Sequence, residues 1–251
     1  MHMKNLQEAV VGHVKTMLSQ ANNIVCVTGL GTVVESGGVD IWSGDNLYRI
    51  EKEYGDSPEE MLSAGVYATK KERYYKFYKK EVISTLPVPS ETFAALKKLQ
   101  DLGKLRATIS MNIYGLEYRS GLRNVIEFQG TIYSNYCPMC KKNFPLDYIT
   151  GAPGVPVCDD CKVALRPGLR LFGESVRNDR MTEAAVACAN ADLVLVLGAN
   201  LYGSKVRYST GHYTGNKLIL INEEEHFTDR YADYVIHGKC KDILPMLVED
   251  L

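Results

Sequence analysis

The sequence has no long hydrophobic run and almost no net charge. Its apolar stretches stay below the roughly 18 residues that suggest a membrane-spanning helix, and residues 1–18 lack the apolar core of a signal peptide. The formal net charge of the 251 residues is −1, so no overall field draws the protein to nucleic acid or anionic lipid. We therefore expect a cytoplasmic protein with neither nucleic-acid nor membrane partners.

Common catalytic signatures are absent as well. There is no G-x-S-x-G nucleophile motif, no H-E-x-x-H zinc motif and no lysine-bearing phosphate loop. None of the scattered histidines pairs in sequence with a nucleophile: His2, His13, His212, His226 and His237. The sequence therefore indicates neither a serine hydrolase nor a zinc protease of these types.

The cysteines instead indicate a metal site. Cys137 and Cys140 form one C-x-x-C pair, and Cys158 and Cys161 form a second. Two such pairs at this separation match a tetrahedral zinc site, and four thiolates leave no open position for a catalytic water. We predict a structural zinc ion in a reducing compartment. The remaining cysteines lie in or beside apolar runs and are expected to be small buried side chains: Cys26, Cys188 and Cys240.

Short apolar strands alternate with amphipathic helices along most of the chain. The predicted strands are 22–29, 104–110, 168–174, 192–198, 217–222 and 234–238. The predicted helices are 4–20, one opening at Ser57, 66–82, one capped by Ser90 and closed by Gly103, 180–191 and 241–251. This alternation is typical of an α/β fold with a parallel sheet covered on both faces. Residues 45–85 and 131–167 interrupt it and are predicted to form a small inserted domain.

A glycine-rich turn, Gly29-Leu30-Gly31, follows the first predicted strand. Glycines at such a position let the backbone approach a phosphate group. The motif is shorter than G-x-G-x-x-G, and by itself it also fits a turn that binds no ligand.

Residues 67–80 (YATKKERYYKFYKK) interleave aromatic and basic side chains. Such a stretch suits either a surface for nucleic acid or a helix that buries its rings and exposes its lysines. The second interpretation is favoured, with these side chains packed in the interior: Tyr74, Tyr75, Phe77 and Tyr78.

Taken in chain order, the motifs resemble those of the sirtuin family, the NAD-dependent protein deacylases. Residues 27–42 resemble its TGAGxSxxSGIPDFR loop, 110–121 its TQNIDGLHxRAG motif and 126–130 its ELHG element. The cysteine pairs match its zinc module. Residues 171–174 match its VxFGE strand, and residues 195–203 match its GTSL turn. Residues 220–222 match its adenosine-binding strand end, and residues 238–247 match its closing helix.

The resemblance implies a Rossmann-like doubly wound sheet with a smaller zinc-bearing domain, and NAD or ADP-ribose in the cleft between them. The nucleotide-binding domain would comprise residues 1–44, 86–130 and 168–251. The small domain would comprise a helical part, 45–85, and a zinc-ribbon part, 131–167.

The resemblance also implies which residues meet the cofactor. Gly29 and Gly31 would cradle the diphosphate, Asp40 would face the nicotinamide amide, and Asn112 would lie beside the nicotinamide ribose. The other candidate cofactor-binding residues are Leu30, Ile41, Trp42, Tyr114, Gly198, Ala199, Asn200, Asn222 and Cys240.

Several positions depart from the family pattern. In the first loop, Leu30 replaces the family's Ala and Val33 replaces its Ser. Gly38-Val39 replaces the family's Ile-Pro, Ile41 replaces its Phe, and Trp42 replaces its Arg. Its Gln, Asp and His in the second motif are Met111, Tyr114 and Glu117, and its Thr-Ser is Ala199-Asn200. A phosphate-contacting cation and an aromatic shield are therefore missing.

The departure with the largest chemical consequence is Gln129, which occupies the position of the family's catalytic His. A glutamine amide cannot act as a general base, and loss of such a base typically lowers a rate by about 10²–10⁴. Efficient lysine deacetylation is therefore not expected. Gln129 with Asn112 resembles a macrodomain-linked branch that ADP-ribosylates a lipoyl-carrier protein, although this chain lacks that branch's Asp.

Two functional hypotheses remain. In the first, the protein transfers ADP-ribose from NAD to a protein, with Gln129 and Asn112 as candidate catalytic positions. In the second, it is an inactive nucleotide-binding sensor or partner-binding module. In that case Trp42 and Tyr114 stack on another ring, such as a flavin, or fill the space left by altered neighbours; the latter is favoured.

Overall fold

A computed structural model describes residues 2–251, with side chains described from residue 9 onward. Its strands are β1 (Ile24–Thr28), β2 (Leu105–Ser110), β3 (Val125–Glu127), β4 (Gly130–Tyr136), β5 (Asn143–Phe144), β6 (Arg166–Leu169), β7 (Leu193–Leu197), β8 (Leu218–Asn222) and β9 (Tyr234–His237). They form a six-stranded sheet and a three-stranded sheet. The predicted α/β class is confirmed.

The helices cover both faces of the larger sheet and fill one long insertion. They are α1 (His2–Gln20), α2 (Leu30–Glu35), α3 (Gly44–Tyr54), α4 (Pro58–Met61), α5 (Ala64–Thr69), α6 (Lys71–Phe77), α7 (Glu91–Asp101), α8 (Leu116–Arg119), α9 (Leu146–Gly151), α10 (Asn178–Ala189), α11 (Ser204–Thr210) and α12 (Cys240–Val248). A π-helical turn, Tyr78–Val82, follows α6, and a 3-10 turn lies at Asp229–Tyr231. No helix within residues 2–251 has the length and apolar character needed to cross a bilayer.

The larger sheet has the order β3-β2-β1-β7-β8-β9, and every adjacent pair is parallel. Its central strands are buried on both faces, which explains why β1, β7 and β8 are largely continuous apolar runs. From β1 the chain adds β2 and β3 on one side of the sheet, and from β7 it adds β8 and β9 on the other side. The order of strands therefore reverses between the neighbouring central strands β1 and β7. In sheets of this order, ligands bind beyond the carboxyl ends of the strands at that reversal.

The smaller sheet, β5-β4-β6, is antiparallel and carries the cysteine pairs at its end. The helical insertion packs against this part of the chain through several hydrogen bonds. The hydroxyls of Tyr67 and Tyr75 both donate to Leu165 O, directly before β6, at 2.9 and 2.7 Å, and Lys79 Nζ donates to the carbonyls of Ala152 and Gly154. Tyr74, Tyr75, Phe77 and Tyr78 are at most 1% exposed, which confirms the packing interpretation of the aromatic, basic stretch.

Three local predictions are corrected. The helix expected over 66–82 is divided into α5, α6 and the π-turn, because Lys70 leaves helical geometry at φ −135°. Ser90 precedes α7 but its side chain makes no capping bond. The strand expected over 168–174 ends at Leu169. The Arg170 amide still bonds to Gln129 O, in register with the pair of Gly130 and Leu169, but the Phe172 amide bonds instead to Leu62 O of the helical insertion. The proposed domain boundaries stay predictions.

Candidate functional site

Two adjoining cavities lie beyond the carboxyl ends of β1, β2 and β7. The first, here called the glycine cavity, has a volume of about 520 Å³ and is lined by Gly29, Gly31, Gly198 and Asn222, among others. The second, here called the Gln129 cavity, has a volume of about 160 Å³. Leu30 and Met111 line both cavities, so the two are neighbours.

The structure brings most of the predicted cofactor residues to these cavities. Those that line the glycine cavity are Gly29, Leu30, Gly31, Asp40, Gly198, Ala199, Asn200 and Asn222. Those that line the Gln129 cavity are Leu30, Ile41, Trp42, Asn112, Tyr114 and Gln129. Cys240 lines neither.

The glycines allow the turn after β1 and the turn after β7 to lie close together. The amide of Gly29 donates to Leu197 O and that of Gly31 donates to Gly198 O, both at 2.8 Å. Gly198 itself has φ +60°, and a Cβ there would lie 2.6 Å from the Thr32 amide nitrogen. These two amides are therefore already bonded within the protein. The expected contact of Gly29 and Gly31 with a diphosphate stays a prediction.

Asp40 lines the glycine cavity rather than the Gln129 cavity. Its Oδ1 accepts a hydrogen bond of 2.8 Å from the Trp42 amide, and its backbone carbonyl accepts from the Asn46 side chain. The Trp42 ring packs against Phe172, with ring centroids 5.4 Å apart. Asp40 thus shapes the loop that carries Trp42 to the cavity.

Cys240 lies behind the end of the glycine cavity at which the resemblance places the adenosine. It is fully buried, and its thiol donates to Ile221 O, one residue before Asn222. The carboxylate of Glu35 accepts hydrogen bonds from the amides of Cys240 and Lys241, at 2.8 and 2.7 Å. Cys240 therefore supports the floor of the glycine cavity without lining it.

Asn112 follows β2 and is 7% exposed. Its side-chain nitrogen donates to Thr32 Oγ1 at 3.3 Å, and its Oδ1 accepts no hydrogen bond from the described residues. That carbonyl oxygen is thus available to a ligand of the Gln129 cavity.

Tyr114 is fixed by the protein. Its hydroxyl donates to Val82 O at 3.0 Å, at the end of the π-helical turn. Burial, and to a lesser extent the neighbouring Tyr133, raises the pKa of Tyr114 to about 12. These contacts favour the space-filling role over stacking on a ligand ring.

Gln129 lies between β3 and β4, where the chain passes from one sheet to the other. Its Oε1 accepts a hydrogen bond of 2.9 Å from Arg170 Nε, and its Nε2 has no partner among the described residues. Gly130 follows with φ +70°, and a Cβ there would lie 2.2 Å from Gly168 O. The glycine beside Gln129 is therefore required for the close approach of β4 and β6.

Sequence reasoning missed Arg170 and Lys205. Arg170 lines the Gln129 cavity, and its only signal in the sequence is a charged residue inside an apolar run. Lys205 is half-buried on α11. Its burial, with the nearby charge of Arg170, lowers the pKa of Lys205 to about 8. Glu117, noted as a departure, is 1% exposed and accepts from Thr28 Oγ1, away from both cavities.

The four paired cysteines form one cluster. Their sulfur atoms all lie within 4.8 Å of one another, and those of Cys140 and Cys158 are 3.8 Å apart. Zinc–sulfur bonds of about 2.3 Å in a tetrahedron require sulfur separations of about 3.8 Å. The predicted tetrahedral site therefore fits.

Each cysteine pair adopts the same turn. Lys141 and Lys162 directly follow the pairs and have left-handed φ values of 64° and 58°. Their amides donate to Cys137 O and Cys158 O, both at 3.0 Å. The amide of the second cysteine in each pair approaches the sulfur of the first. This repeated geometry indicates two zinc knuckles that close on one ion.

Comparisons with known proteins agree with this architecture. A model of the Sir2 family matches residues 29–204. An NAD-dependent protein deacetylase of Clostridium tetani is 35% identical over 95% of this chain and 97% of that protein. One from Sulfurisphaera tokodaii is 31% identical over 93% of this chain and 92% of that protein.

Solved structures show the same likeness. A Sir2 complex with a deacetylated p53 peptide and 3′-O-acetyl ADP-ribose has a TM-score of 0.83 at 27% identity, covering 95% of this chain and 97% of that one. A Sir2 complex with a p53 peptide and NAD⁺ has a TM-score of 0.80 at 26% identity, covering 94% and 95%.

Proposed function

This chain belongs to the Sir2 family, and from that membership we propose that it binds NAD in the adjoining glycine and Gln129 cavities. The resemblance drawn from the sequence motifs is thereby confirmed. We further propose that the protein uses NAD to transfer ADP-ribose to a protein and that it is not an efficient lysine deacetylase.

The position of the cleft favours a dinucleotide as its ligand. The glycine cavity lies at the reversal point of a doubly wound sheet, where such ligands bind. Asn222 lines its far end, and Asn112 lines the adjoining cavity. In this arrangement Gly198 and its neighbours would receive the diphosphate, Asn222 the adenosine, and Asn112 the nicotinamide ribose.

The single observation that carries the proposal is the pair formed by Gln129 and Arg170. In NAD, the ADP-ribosyl group is bonded to nicotinamide, and nicotinamide leaves when that bond breaks. A deacetylase of this family also needs a base to take a proton from a ribose hydroxyl, and neither member of the pair can do so near neutral pH. The free Nε2 of Gln129 and the free Oδ1 of Asn112 can still orient a ribose through hydrogen bonds.

The acceptor class follows from the family. The solved relatives hold p53 peptides, and we propose a protein acceptor for this chain as well. The lipoyl-carrier protein is the acceptor that the partial resemblance implies. Tyr114, in the position of that branch's Asp, argues for a different acceptor contact here.

A second candidate is NAD binding without turnover. One observation favours it: Tyr114 is bonded to the Val82 carbonyl and Trp42 is packed on Phe172, so both occupy the reactive end of the cleft. In that case the protein would bind NAD or ADP-ribose as a sensor.

Nicotinamide release separates the two candidates. Incubation of the zinc-loaded protein with NAD and a mixture of candidate acceptor proteins should release nicotinamide, measured by liquid chromatography. Asn112→Ala should lower the rate by about 10²-fold, because an oriented polar group at the reacting bond is lost. Gln129→Ala should lower it by about 10-fold.

The matched control is Gln20→Ala, which removes an exposed amide at the end of α1. Its rate should equal that of the wild type. NAD binding by calorimetry without nicotinamide release would establish the sensor function, and absence of binding would exclude both candidates.

A further inference from the structure

Arg170 also lines a neighbouring polar cavity, but it is the one charged side chain among the residues that line the Gln129 cavity. Besides Asn112, Gln129 and Tyr114, its neighbours in the cavity lining are apolar side chains such as Val33, Leu169 and Phe172. Its Nε donates to Gln129 Oε1, and one terminal nitrogen donates to the backbone carbonyl of Glu174. Both acceptors are neutral.

No described carboxylate forms an ion pair with Arg170. The nearest candidate, Glu174, is occupied elsewhere: its two carboxylate oxygens accept from the Arg166 guanidinium, both at 2.6 Å, and one also accepts from the Leu171 amide. Burial lowers the pKa of Arg170, and the more distant charge of Glu174 only partly offsets this.

The other arginines of this region differ from Arg170. Arg166, Arg177 and Arg180 line the neighbouring surface, and each has a carboxylate at 2.6 to 2.9 Å. Lys205, whose pKa the charge of Arg170 helps to lower, also forms no ion pair with the described residues, but it does not line the Gln129 cavity. Arg170 is therefore a half-buried cation left without a counter-charge, an arrangement that costs free energy unless an anion completes it.

From this geometry we infer that the acceptor in the Gln129 cavity is a carboxylate, presented by a glutamate or aspartate side chain of the protein substrate. The apolar lining suits the methylene groups of such a side chain, and Arg170 suits its carboxylate. The inference rests on the proposed ADP-ribosyl transfer and names its acceptor.

A carboxylate acceptor also explains why the site works without a base. Hydroxyl and ammonium acceptors must lose a proton before or during attack, but a carboxylate is already ionised near pH 7. One carboxylate oxygen forms a bond to the ribose carbon C1′ while the bond from C1′ to the nicotinamide nitrogen breaks. The electron pair of that bond leaves with neutral nicotinamide, no proton is transferred, and the product is an ester of ADP-ribose.

The test uses two matched probes, the N-acetyl, N′-methylamide derivatives of glutamate and of glutamine. They differ in charge but hardly in size. The full-length, zinc-loaded protein is incubated with NAD and either probe, and products are identified by mass spectrometry. We expect at least 10-fold more nicotinamide release with the glutamate probe and an ADP-ribosylated probe that neutral hydroxylamine cleaves.

Two variants assign the effect to the cation. Arg170→Gln keeps hydrogen-bonding groups but removes the charge, and should raise KM for the glutamate probe at least 10-fold. Arg170→Lys keeps the charge and should recover part of the loss. Arg177→Gln, which alters an exposed arginine paired with Asp179, is the control and should match the wild type.

The outcomes separate this inference from the proposed function. Nicotinamide release that is equal with both probes, or a product that resists hydroxylamine, overturns the carboxylate inference alone. Absence of release with every acceptor overturns ADP-ribosyl transfer and the inference together. The comparison of probes on the wild-type protein decides the matter even where an Arg170 variant fails to fold.

Discussion

Replacing Cys137 with serine should abolish zinc binding and lower the melting temperature by about 10 °C. Cys137 and Cys158 are fully buried, and zinc would join the two knuckles, which are otherwise linked by exposed ion pairs of Lys142 with Asp159 and Asp160. Exposed ion pairs contribute little to stability. Loss of a structural metal belongs to the changes that cost about 4 kcal/mol or more. For a chain of this size, each kcal/mol corresponds to roughly 2–4 °C.

The control is Cys188→Ala. Cys188 is also fully buried, but it lies on α10, outside the metal cluster. This variant should keep one zinc ion per chain, measured by elemental analysis, and lose only about 1–2 kcal/mol of stability. A Cys137→Ser protein with full zinc content and an unchanged melting temperature would show that the cluster has no structural role.

Replacing Gly198 with alanine should destabilise the protein by about 2–4 kcal/mol and weaken NAD binding at least 10-fold. The left-handed backbone at φ +60° costs an alanine about 1 kcal/mol or more. The new Cβ would also lie 2.6 Å from the Thr32 nitrogen. To relieve that contact, the turn after β7 must move away from the turn after β1, which deforms the glycine cavity.

Gly203→Ala is the matched control for this experiment. Gly203 lines the same cavity, but its φ is −54° and the nearest atom to a new Cβ, on Val206, would lie 4.0 Å away. Its stability and its NAD affinity, measured by calorimetry, should equal those of the wild type. If Gly198→Ala binds NAD as tightly as Gly203→Ala, the nucleotide does not bind at this turn.

The elements with strong local patterns were predictable from sequence. Runs such as that of β7 are apolar at every position because both faces of the sheet are covered. The zinc knuckles were equally predictable, because a C-x-x-C pair brings two sulfurs to one ion through purely local geometry. Both predictions required information only from neighbours in the chain.

The parts that sequence reasoning missed depend on contacts between distant residues. Arg170 appeared to belong to a strand, and its bond to Gln129 joins residues that are far apart in sequence. The packing role of Tyr114 likewise depends on the Val82 carbonyl, which a π-helical turn presents. The glycines after β1 were recognised from the motif, but their amides proved to be bonded to the turn after β7.

The central claim is that this member of the Sir2 family breaks NAD without a histidine base. The most direct test measures two products of one reaction that contains the wild-type protein, NAD, an acetyl-lysine peptide and the glutamate probe. Our account predicts that nicotinamide exceeds deacetylated peptide by about 100-fold or more, because deacetylation lacks the base at position 129. Equal amounts of nicotinamide and deacetylated peptide would contradict it.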